Sequence, residues 1–462
     1  MSIRGAMIAS HLVPPVGEQV PRLDLSHSRP QSVRDQMVRA QTVVQIGVEQ
    51  GLIKPGRVTK RLVVVGAGAA GATAALTALD AGVHTTLVHN APDRNDAFGL
   101  QRLSPRFLDP TIYDWPAPQW RELDWGREVA MLPWSSGRAA DIVNRYWQPA
   151  WELAVNRHFG GLLEIASPRD LHQHVDRGTP ASIRLSGQLV RAGLVVECIG
   201  PGEERVWLGG TAEAGGFRGF AYWDETDPVA RQDYRLPAGQ RAIVSGGGDG
   251  ALQEFLWLAT GVTGRTLAEA LPLDMFAAAG REVEDQYQRE YVWLSADNFE
   301  RRDHDVLTSW HRAWTTLVAN ILGDTSRAAR LKRALDPFLR DEPPVDLAFS
   351  CDHFGYCFAL NRLLVLLVDR LLLEKFGRSH LYSGLAVTNC EGRGHACTAP
   401  IDCHGRPHEV KLSARGCRDV GHVGSPTTLA ADVVVIRHGI VSNQNRRSMP
   451  VPRQMVAYAP RR

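Results

Sequence analysis

The stretch RLVVVGAGAAGATAALTALDAGVHTTLVHN, residues 61–90, decides the fold of this chain. It opens with a short apolar run without alternation, which is typical of a strand buried on both faces of a parallel sheet. A glycine-rich turn follows, then an alanine-rich segment that favours a helix, then Gly82 as a helix stop and a second apolar strand. The order of strand, glycine turn, helix and strand predicts a βαβ unit of a doubly wound α/β fold.

The glycines of this turn have the spacing G-x-G-x-x-G that is associated with dinucleotide binding. Gly66 permits the tight turn, Gly68 lets the backbone approach a pyrophosphate, and Gly71 lets the helix pack closely against the strand. The helix begins here and directs its unbonded N–H groups and partial positive charge towards the phosphates. We therefore predict cofactor contacts from Gly66, Gly68, Ala69, Ala70 and Gly71.

The acid that usually binds the ribose hydroxyls is missing from this unit. It is expected at the end of the second strand, which here ends in His89 and Asn90. Either Asn90 bonds a ribose hydroxyl, or Asp93 reaches back from the loop, or Arg94 faces a 2′-phosphate, which would favour NADP. His89 and Asn90 are predicted cofactor contacts, and the residues alone leave the identity of the nucleotide open.

A second strand, glycine turn and helix occupy residues 241–261, RAIVSGGGDGALQEFLWLATG. The predicted nucleotide contacts in this turn are Gly246, Gly248, Asp249 and Gly250. No second strand is recognisable after the helix, where the sequence reads TGVTGRTLAEAL. The turn is therefore either a second dinucleotide site or a sharp strand-to-helix turn beside a cofactor that is bound elsewhere.

Two such units in this order, with GGGDGALQEF in the second, resemble the flavoproteins with two dinucleotide-binding domains. That group includes thioredoxin reductase and the flavin-dependent N- and Baeyer–Villiger monooxygenases. The closing strand ADVVVIRHG, residues 431–439, looks like the strand that ends in A-T-G in the group. The resemblance implies FAD on the first turn and NAD(P)H on the second. It does not cover the helical region or the amino-terminal segment.

The chain departs from the pattern of that group in three places. His89 stands in place of the acid, residues 437–439 (Arg-His-Gly) stand in place of A-T-G, and a clear G-D motif near the carboxyl terminus is missing. These departures leave room for altered or lost catalysis. His438 ends the closing strand, where doubly wound sheets place their ligands, and it is the predicted catalytic residue, either as an acid–base group or in contact with the flavin. A structural histidine is the alternative.

Polar residues follow the first unit at Gln101, Arg102 and Arg106. An arginine shortly beyond the second strand can neutralise a pyrophosphate by bidentate contact. We predict that these three residues contact the cofactor, and solvated surface side chains are the alternative.

The cysteine pattern argues against disulfide exchange and against zinc. Seven cysteines are few for this length, and none forms a C-x-x-C pair. Cys351 and Cys357 are separated by five residues, which is too many for a C-x-x-C pair. The spacing of the cysteines and histidines in the tail does not match that of zinc sites, so no metal is predicted: Cys390, His395, Cys397, Cys403, His404, His408, Cys417 and His422.

Length and composition predict a globular protein of several domains in a reducing cytoplasm. The 462 residues exceed the size of a single core, and 44% hydrophobic with 22% charged residues is ordinary for a globular chain. The 52 Lys and Arg residues and the 50 Asp and Glu residues leave a net charge of +2, which offers no basic surplus for nucleic acid. The most apolar stretch, residues 358–376, is interrupted by charges and predicts a buried core helix, so no membrane contact is expected.

We predict four regions along the chain. An amino-terminal arm and helix occupy residues 1–58, where Ser32 and Asp35 fit a capping pattern. An FAD-binding Rossmann-like domain spans 59–200, and a second nucleotide or substrate domain spans 201–275 and 341–462. A helical insertion at 276–340 separates the two parts of the second domain and offers a surface for a protein partner or for homo-oligomer contacts.

Three functions are compatible with these patterns, all on an α/β, doubly wound parallel-sheet dinucleotide-binding fold with two glycine-turn units and a helical insertion. The favoured one is an FAD-dependent oxidoreductase whose flavin is reduced by NAD(P)H and then oxidises or oxygenates a small organic substrate, as a monooxygenase or oxidase. The second is a non-catalytic nucleotide-binding sensor or scaffold, motivated by the departures at His89 and 437–439. The third, motivated by Arg94, is an NADP-binding protein without flavin.

Overall fold

A computed structural model describes most of the chain as two α/β lobes and a small antiparallel sheet. The described residues are 12–13, 20–25, 32–89, 93, 95–111, 131–166, 182–185, 188–200, 202, 204–208, 217–230, 236–272, 303–341, 345–355, 357–392, 408–413 and 427–439.

The first lobe is built from the elements of the amino-terminal half. Its strands are β1 (Leu12–Val13), β2 (Arg22–Asp24), β3 (Arg61–Val65), β4 (Thr85–Val88), β5 (Phe107–Leu108), β6 (Gly137–Arg138), β7 (Leu163–Ala166), β8 (Ser182–Leu185) and β9 (Gln188–Glu197). Its α-helices are α1 (Val33–Glu49), α2 (Ala69–Asp80), α3 (Gly99–Arg102), α4 (Ala139–Ile142) and α5 (Gln148–His158). A 3-10 turn lies at Val58–Lys60, and a π-helical turn at Val143–Trp147 joins α4 to α5.

The main sheet of this lobe has the order β1-β2-β9-β3-β4-β7, with β8 beside β9. β3 pairs in parallel with β4 and with β9, and α2 makes the crossover between β3 and β4. The middle of β3 and all of β4 are buried, as the apolar runs without alternation predicted. The predicted first βαβ unit is confirmed.

The described part of the amino-terminal segment belongs to this lobe and is not a separate arm. β2 pairs in parallel with β9, so the segment supplies a strand of the main sheet. α1 begins at the predicted cap, where the Ser32 hydroxyl accepts a hydrogen bond from the Asp35 N–H at 3.0 Å. Met37 and Val44 of α1 lie in the same core as the residues of α2. Burial of its apolar stripe against α2 explains why the segment folds into the lobe.

The second lobe follows in the carboxyl-terminal half. Its strands are β10 (Trp207–Leu208), β11 (Phe217–Arg218), β12 (Ala242–Ser245), β13 (Val345–Phe349), β14 (Leu381–Ser383), β15 (Ala386–Gly392), β16 (His408–Ser413), β17 (Thr427–Ala431) and β18 (Val433–Ile436). Its α-helices are α6 (Asp249–Thr260), α7 (Gly264–Ala270), α8 (Asp303–Gly323), α9 (Thr325–Leu335) and α10 (Ala359–Phe376). Two 3-10 turns lie at Pro228–Ala230 and Asp336–Phe338.

The parallel sheet of the second lobe has the order β14-β13-β12-β18. Its second βαβ strand is β13, which pairs with β12 in the register Ala242↔Val345. The helices α7, α8 and α9 lie between α6 and β13 along the chain, which hid this strand from the sequence pattern. Trp314 of α8 and Leu331 of α9 share a core with Phe255 of α6, so the described part of the helical insertion, residues 303–340, is a component of the second lobe. The predicted α/β fold class with two glycine-turn units is confirmed.

The remaining sheets are antiparallel and small, with the orders β15-β16-β17, β10-β11 and β5-β6. α10 coincides with the most apolar stretch of the sequence and is a buried core helix, as predicted, with Leu363, Leu364 and Leu367 fully buried. None of the described helices combines the length and apolar character that crossing a membrane requires.

Candidate functional site

Three backbone hydrogen bonds hold the first glycine turn at the carboxyl edge of its sheet. The Gly66 N–H donates to the Val88 carbonyl at the end of β4, over 2.7 Å. On the other side the Cys198 N–H, just after β9, donates to the carbonyl of Val65, also over 2.7 Å. The loop after β4 returns to the turn, where the Phe98 N–H donates to the Ala67 carbonyl over 2.8 Å. The turn is thus fixed from three sides.

The second glycine turn repeats this arrangement bond for bond. The Gly246 N–H donates to the Ala348 carbonyl over 2.8 Å, and the Arg437 N–H donates to the Ser245 carbonyl over 2.8 Å. The Gly355 N–H donates to the Gly247 carbonyl over 2.7 Å. The strand beside each turn also ends in the same way, with a positive-φ glycine at Gly200 (+78°) and at Gly439 (+76°). The glycine two residues after Cys198 and the glycine two residues after Arg437 are the one residue that the tripeptides 198–200 and 437–439 share.

The glycines of the first turn have the structural roles that their spacing predicted. Gly66 has φ +101°, and a Cβ on it would overlap the carbonyl of Cys198. A Cβ on Gly71 would overlap the carbonyl oxygen of Gly66, so the helix can approach the turn only with glycine there. A Cβ on Gly68 would meet no heavy atom of the described residues within 4 Å. The backbone at Gly68 therefore borders open space, where a ligand can approach.

The amino terminus of α2 presents a neutral, uncapped end to that space. Gly68 is its N-cap and supplies no side-chain acceptor, and the first turn, with Ala69 and Ala70, carries no acidic residue. The helix therefore offers backbone N–H groups and its partial positive charge to an anion. This is the chemistry that a pyrophosphate requires.

Two of the differences between the second turn and the first bear on ligand binding. Ala251 occupies the place of the third glycine, with its methyl 3.1 Å from the position of a Cβ on Gly246, so the spacing is G-x-G-x-x-A. Asp249 stands in the first turn of α6, whose N-cap is Gly248. Its carboxylate accepts hydrogen bonds from the Phe358 N–H and the Asn361 side chain, each over 2.8 Å. Asp249 thus also caps the amino terminus of α10.

His89 replaces the ribose-binding acid at the end of β4 and is a neutral group. Burial lowers the pKa of His89, and the opposing attraction of Asp96 and Asp93 does not restore it. At neutral pH the imidazole is therefore a hydrogen-bonding group and not a charge. Asn90 and Arg94 lie outside the described residues, so their predicted roles stay predictions.

The loop after β4 contains a strained residue and an unsatisfied amide. Phe98 is buried with φ +61°, the one non-glycine residue with positive φ in the described part of the chain, and it precedes α3. Gln101 in α3 is 9% exposed, and its Oε1 has no hydrogen-bond partner among the described residues. Strain and an unmet acceptor next to a glycine turn are typical of a ligand site. Arg102 forms an ion pair with Asp96.

Arg106 lies elsewhere than the prediction of a pyrophosphate contact requires. Its guanidinium is buried and bonds Asp227 at 2.8 Å and Glu254 at 2.5 Å, and its Cζ lies 4.2 Å from the ring centre of Tyr222. Arg437 bonds the same two carboxylates at 2.6 and 2.8 Å. These bonds join a loop of the first lobe to α6 and to the end of β18, so the structure assigns Arg106 to the contact between the lobes.

The charges of this interlobe cluster (Arg106, Tyr222, Asp227, Glu254 and Arg437) stabilise one another. Burial alone would raise the pKa of Glu254, but the two guanidiniums outweigh it and lower the pKa. Burial raises the pKa of Tyr222 to about 12, so its hydroxyl keeps its proton and donates to Gln253 at 2.6 Å. Nearby, Arg265 of α7 bonds Asp109 at 2.7 Å and adds a second ionic contact between the lobes.

His438 lies at the carboxyl edge of the second sheet, as its place after the closing strand predicted. Its Nε2 lies 2.7 Å from the hydroxyl of Ser245, the last residue of β12. Ser245 is fully buried and also accepts a hydrogen bond from the Val387 N–H at 3.0 Å. The half-buried imidazole is thereby held next to the second glycine turn, and the sequence did not indicate the role of Ser245.

The described residues do not bring together a metal site. No group of three or more His, Cys, Asp and Glu side chains in that part of the chain is arranged to hold a metal ion. Of the tail cluster, Cys390 and His408 lie on the paired strands β15 and β16, and the ring of His408 packs against Phe217. The other six members of that cluster lie outside the described residues.

Comparison with known proteins adds little beyond the fold. No model of a protein family and no curated protein matches the chain. Among solved structures, thioredoxin reductase of Lactococcus lactis in its FR conformation is 13% identical, with 82% of this chain and 77% of that chain covered and a TM-score of 0.38. Thioredoxin reductase of T. acidophilum is 12% identical, with 83% and 77% covered and a TM-score of 0.34.

Proposed function

We propose that the protein is an FAD-dependent oxidoreductase that binds FAD at the first glycine turn and NAD(P)H at the second. The observation that carries this proposal is the set of three equivalent backbone hydrogen bonds around each glycine turn. Each turn lies in a βαβ unit and presents the amino terminus of a helix at the carboxyl edge of its sheet. Two dinucleotide sites in one chain fit a reaction in which one bound dinucleotide reduces the other. FAD, when bound, accepts a hydride from NAD(P)H and passes two electrons to a further acceptor.

The residues around the first turn fit a flavin dinucleotide. Gly68 borders open space at the uncapped end of α2, where the pyrophosphate would bind. The unmet Oε1 of Gln101 would accept a hydrogen bond from the nucleotide. The neutral His89 would bond a ribose hydroxyl without repelling or attracting a charge. Arg106 is not part of this set.

The residues around the second turn fit a nicotinamide dinucleotide. The carboxylate of Asp249 is bonded to the amino terminus of α10, which offsets its charge near the phosphate position. The N–H groups at the start of α6 would then hold the pyrophosphate. Gly246 permits the tight turn, Gly248 stands at the position of close backbone approach, and Gly250 packs against the ring of Tyr222.

His438 is the proposed acid–base residue, since it lies beside the second turn at the sheet edge where doubly wound folds place their ligands. The sequence has no C-x-x-C pair, the arrangement that a redox dithiol typically uses. We therefore propose that the electrons pass to a small organic substrate or to O2, in a monooxygenase or oxidase reaction of a cytoplasmic enzyme.

The visible spectrum of the purified protein tests this function. We expect the visible absorption bands of a bound flavin. Denaturation should release the flavin, and NADH or NADPH should bleach its bands under anaerobic conditions. Gly68→Ala should purify folded but without flavin, because its methyl meets no heavy atom of the described residues within 4 Å and would instead meet a ligand bound there. Gly323→Ala, at an equally open glycine at the end of α8, is the matched control and should keep the flavin.

A protein that binds a nucleotide but no flavin would contradict the oxidoreductase and favour the NADP-binding alternative. Bound flavin that neither nucleotide reduces, in a protein that still binds both, would favour a sensor or scaffold. Full flavin occupancy in Gly68→Ala would show that the cofactor lies elsewhere.

A further inference from the structure

The end of β13 is the place where the second site would distinguish NADH from NADPH. In a βαβ dinucleotide unit the adenosine ribose lies over the end of the second strand, where an acid favours a free 2′-hydroxyl and an arginine favours a 2′-phosphate. Only the pairing of β13 with β12 identifies this strand in the second unit. The residues that follow it, 350–358, therefore decide the contact.

This loop is attached to the glycine turn and carries a negative charge. The Gly355 N–H bonds the Gly247 carbonyl at 2.7 Å, which places the loop directly beside the turn. The loop sequence SCDHFGYCF contains one carboxylate, Asp352, and no lysine or arginine. Asp352 is half-buried, and its Oδ1 accepts a hydrogen bond from the Thr308 hydroxyl of α8 at 3.0 Å. The carboxylate is thus held in place at the sheet edge.

Two basic side chains pack beneath the loop, and neither is suited to a 2′-phosphate. Arg362 is fully buried, bonds the Gly355 carbonyl at 3.3 Å and lies 6.0 Å from the ring centre of Phe354. His311 packs against the same ring, with 4.7 Å between ring centres. Burial lowers the pKa of His311 to about 3, so it is neutral at physiological pH. Neither of these two side chains can therefore act as the arginine that accommodates a 2′-phosphate.

We propose that the second site takes NADH in preference to NADPH and that Asp352 is the specificity-determining residue. This inference rests on the proposed function of the second turn. A carboxylate at this position accepts a hydrogen bond from the 2′-hydroxyl of NADH and repels the 2′-phosphate of NADPH, which carries about two negative charges at neutral pH.

Anaerobic flavin reduction and equilibrium binding of NAD⁺ and NADP⁺ to the whole protein test this inference. We expect the wild-type protein to favour NADH over NADPH by at least about tenfold in affinity, which is the order expected for this charge contact in water. Asp352→Asn keeps an acceptor for the Thr308 hydroxyl and removes the charge, so the preference should fall severalfold, chiefly through tighter NADPH binding. Asp352→Arg should reverse it.

Asp341→Asn is the matched control and should leave the preference unchanged. Asp341 is an exposed carboxylate that precedes β13 and so lies towards the opposite, amino edge of the sheet. A wild-type preference for NADPH, or an unchanged ratio in Asp352→Asn, would overturn the specificity proposal alone, since the second site would still bind a nucleotide. Binding of neither nucleotide would overturn the proposed function of this site and the inference with it.

Discussion

The hydroxyl of Ser245 lies 2.7 Å from Nε2 of His438, and the other hydrogen bond of that hydroxyl indicates which of the two atoms carries the shared proton. The Val387 N–H already donates to the same hydroxyl oxygen. If Nε2 carried the proton, the fully buried Ser245 hydroxyl would have no acceptor among the described residues. Neutral His438 therefore carries its proton on Nδ1, and Ser245 positions the imidazole at the sheet edge.

We predict that Ser245→Ala releases this tautomer preference. The ¹⁵N shifts of His438, measured by long-range ¹H–¹⁵N NMR, should move from the Nδ1–H pattern towards a mixture. Ser245→Thr keeps the hydroxyl and should keep the wild-type pattern. A wild-type pattern in Ser245→Ala would show that another contact sets the tautomer. The alanine variant should also lose about 1–3 kcal/mol of unfolding free energy, because the buried Val387 N–H loses its acceptor.

Gly68 and Gly71 should respond differently to the same substitution. Gly71→Ala forces a methyl onto the carbonyl oxygen of Gly66, a backbone atom that cannot yield, and should cost about 3 kcal/mol or more. Gly68→Ala has room for its methyl and a negative φ, so it should cost less than about 1 kcal/mol. Urea unfolding of the flavin-free proteins measures both. Equal losses would contradict the different roles of the two glycines.

Arg106 should contribute to stability through the interlobe cluster. Arg106→Met leaves Asp227 and Glu254 to share Arg437, and breaking a buried ion pair in this way costs about 3–5 kcal/mol. Arg102→Met removes a partly exposed pair with Asp96 and should cost less than about 1 kcal/mol in the flavin-free protein. Comparable losses in the two variants would show that the cluster does not stabilise the joined lobes.

The same cluster should govern acid stability. The folded-state pKa of Glu254 lies below its ordinary value, so its contribution is present above the unfolded pKa of about 4.3 and is lost as the pH falls through the folded value. Arg106→Met removes one of the cations that lower this pKa. The acid unfolding midpoint should therefore move to higher pH, as monitored by circular dichroism, and an unchanged midpoint would contradict the assignment.

His311 should cause a loss of stability at mildly acidic pH. Burial among Phe349 and Phe354 lowers its folded-state pKa to about 3 from an unfolded value of about 6.5, so the unfolded chain binds the extra proton between these values. Unfolding free energy should therefore fall with decreasing pH, by about 2 kcal/mol from this group between pH 6.5 and 4.5. His311→Phe should remove that part of the slope, and an identical slope in the variant would contradict the burial.

Much of the first unit was predictable because its signals are local. The spacing of Gly66 and Gly71 follows from the packing of one helix on one strand. In the structure Gly66 forms the tight turn and Gly71 allows the close approach of the helix, as predicted. The Ser32 cap involves only a neighbouring residue and was equally visible. Arg106 was misassigned because its partners, Asp227 and Glu254, come from distant segments that the sequence pattern does not connect.

The sequence by itself determined the two glycine turns, their helices and the buried character of the strands, since periodicity and glycine spacing act over a few residues. Only the tertiary structure decided that β13 is the partner of β12, because the helices α7 to α9 intervene along the chain. It also brought Ser245 to His438 and Asp352 to the edge beside the second turn. Such contacts arise from the pairing of parallel strands, which aligns carboxyl ends regardless of the length of chain between them.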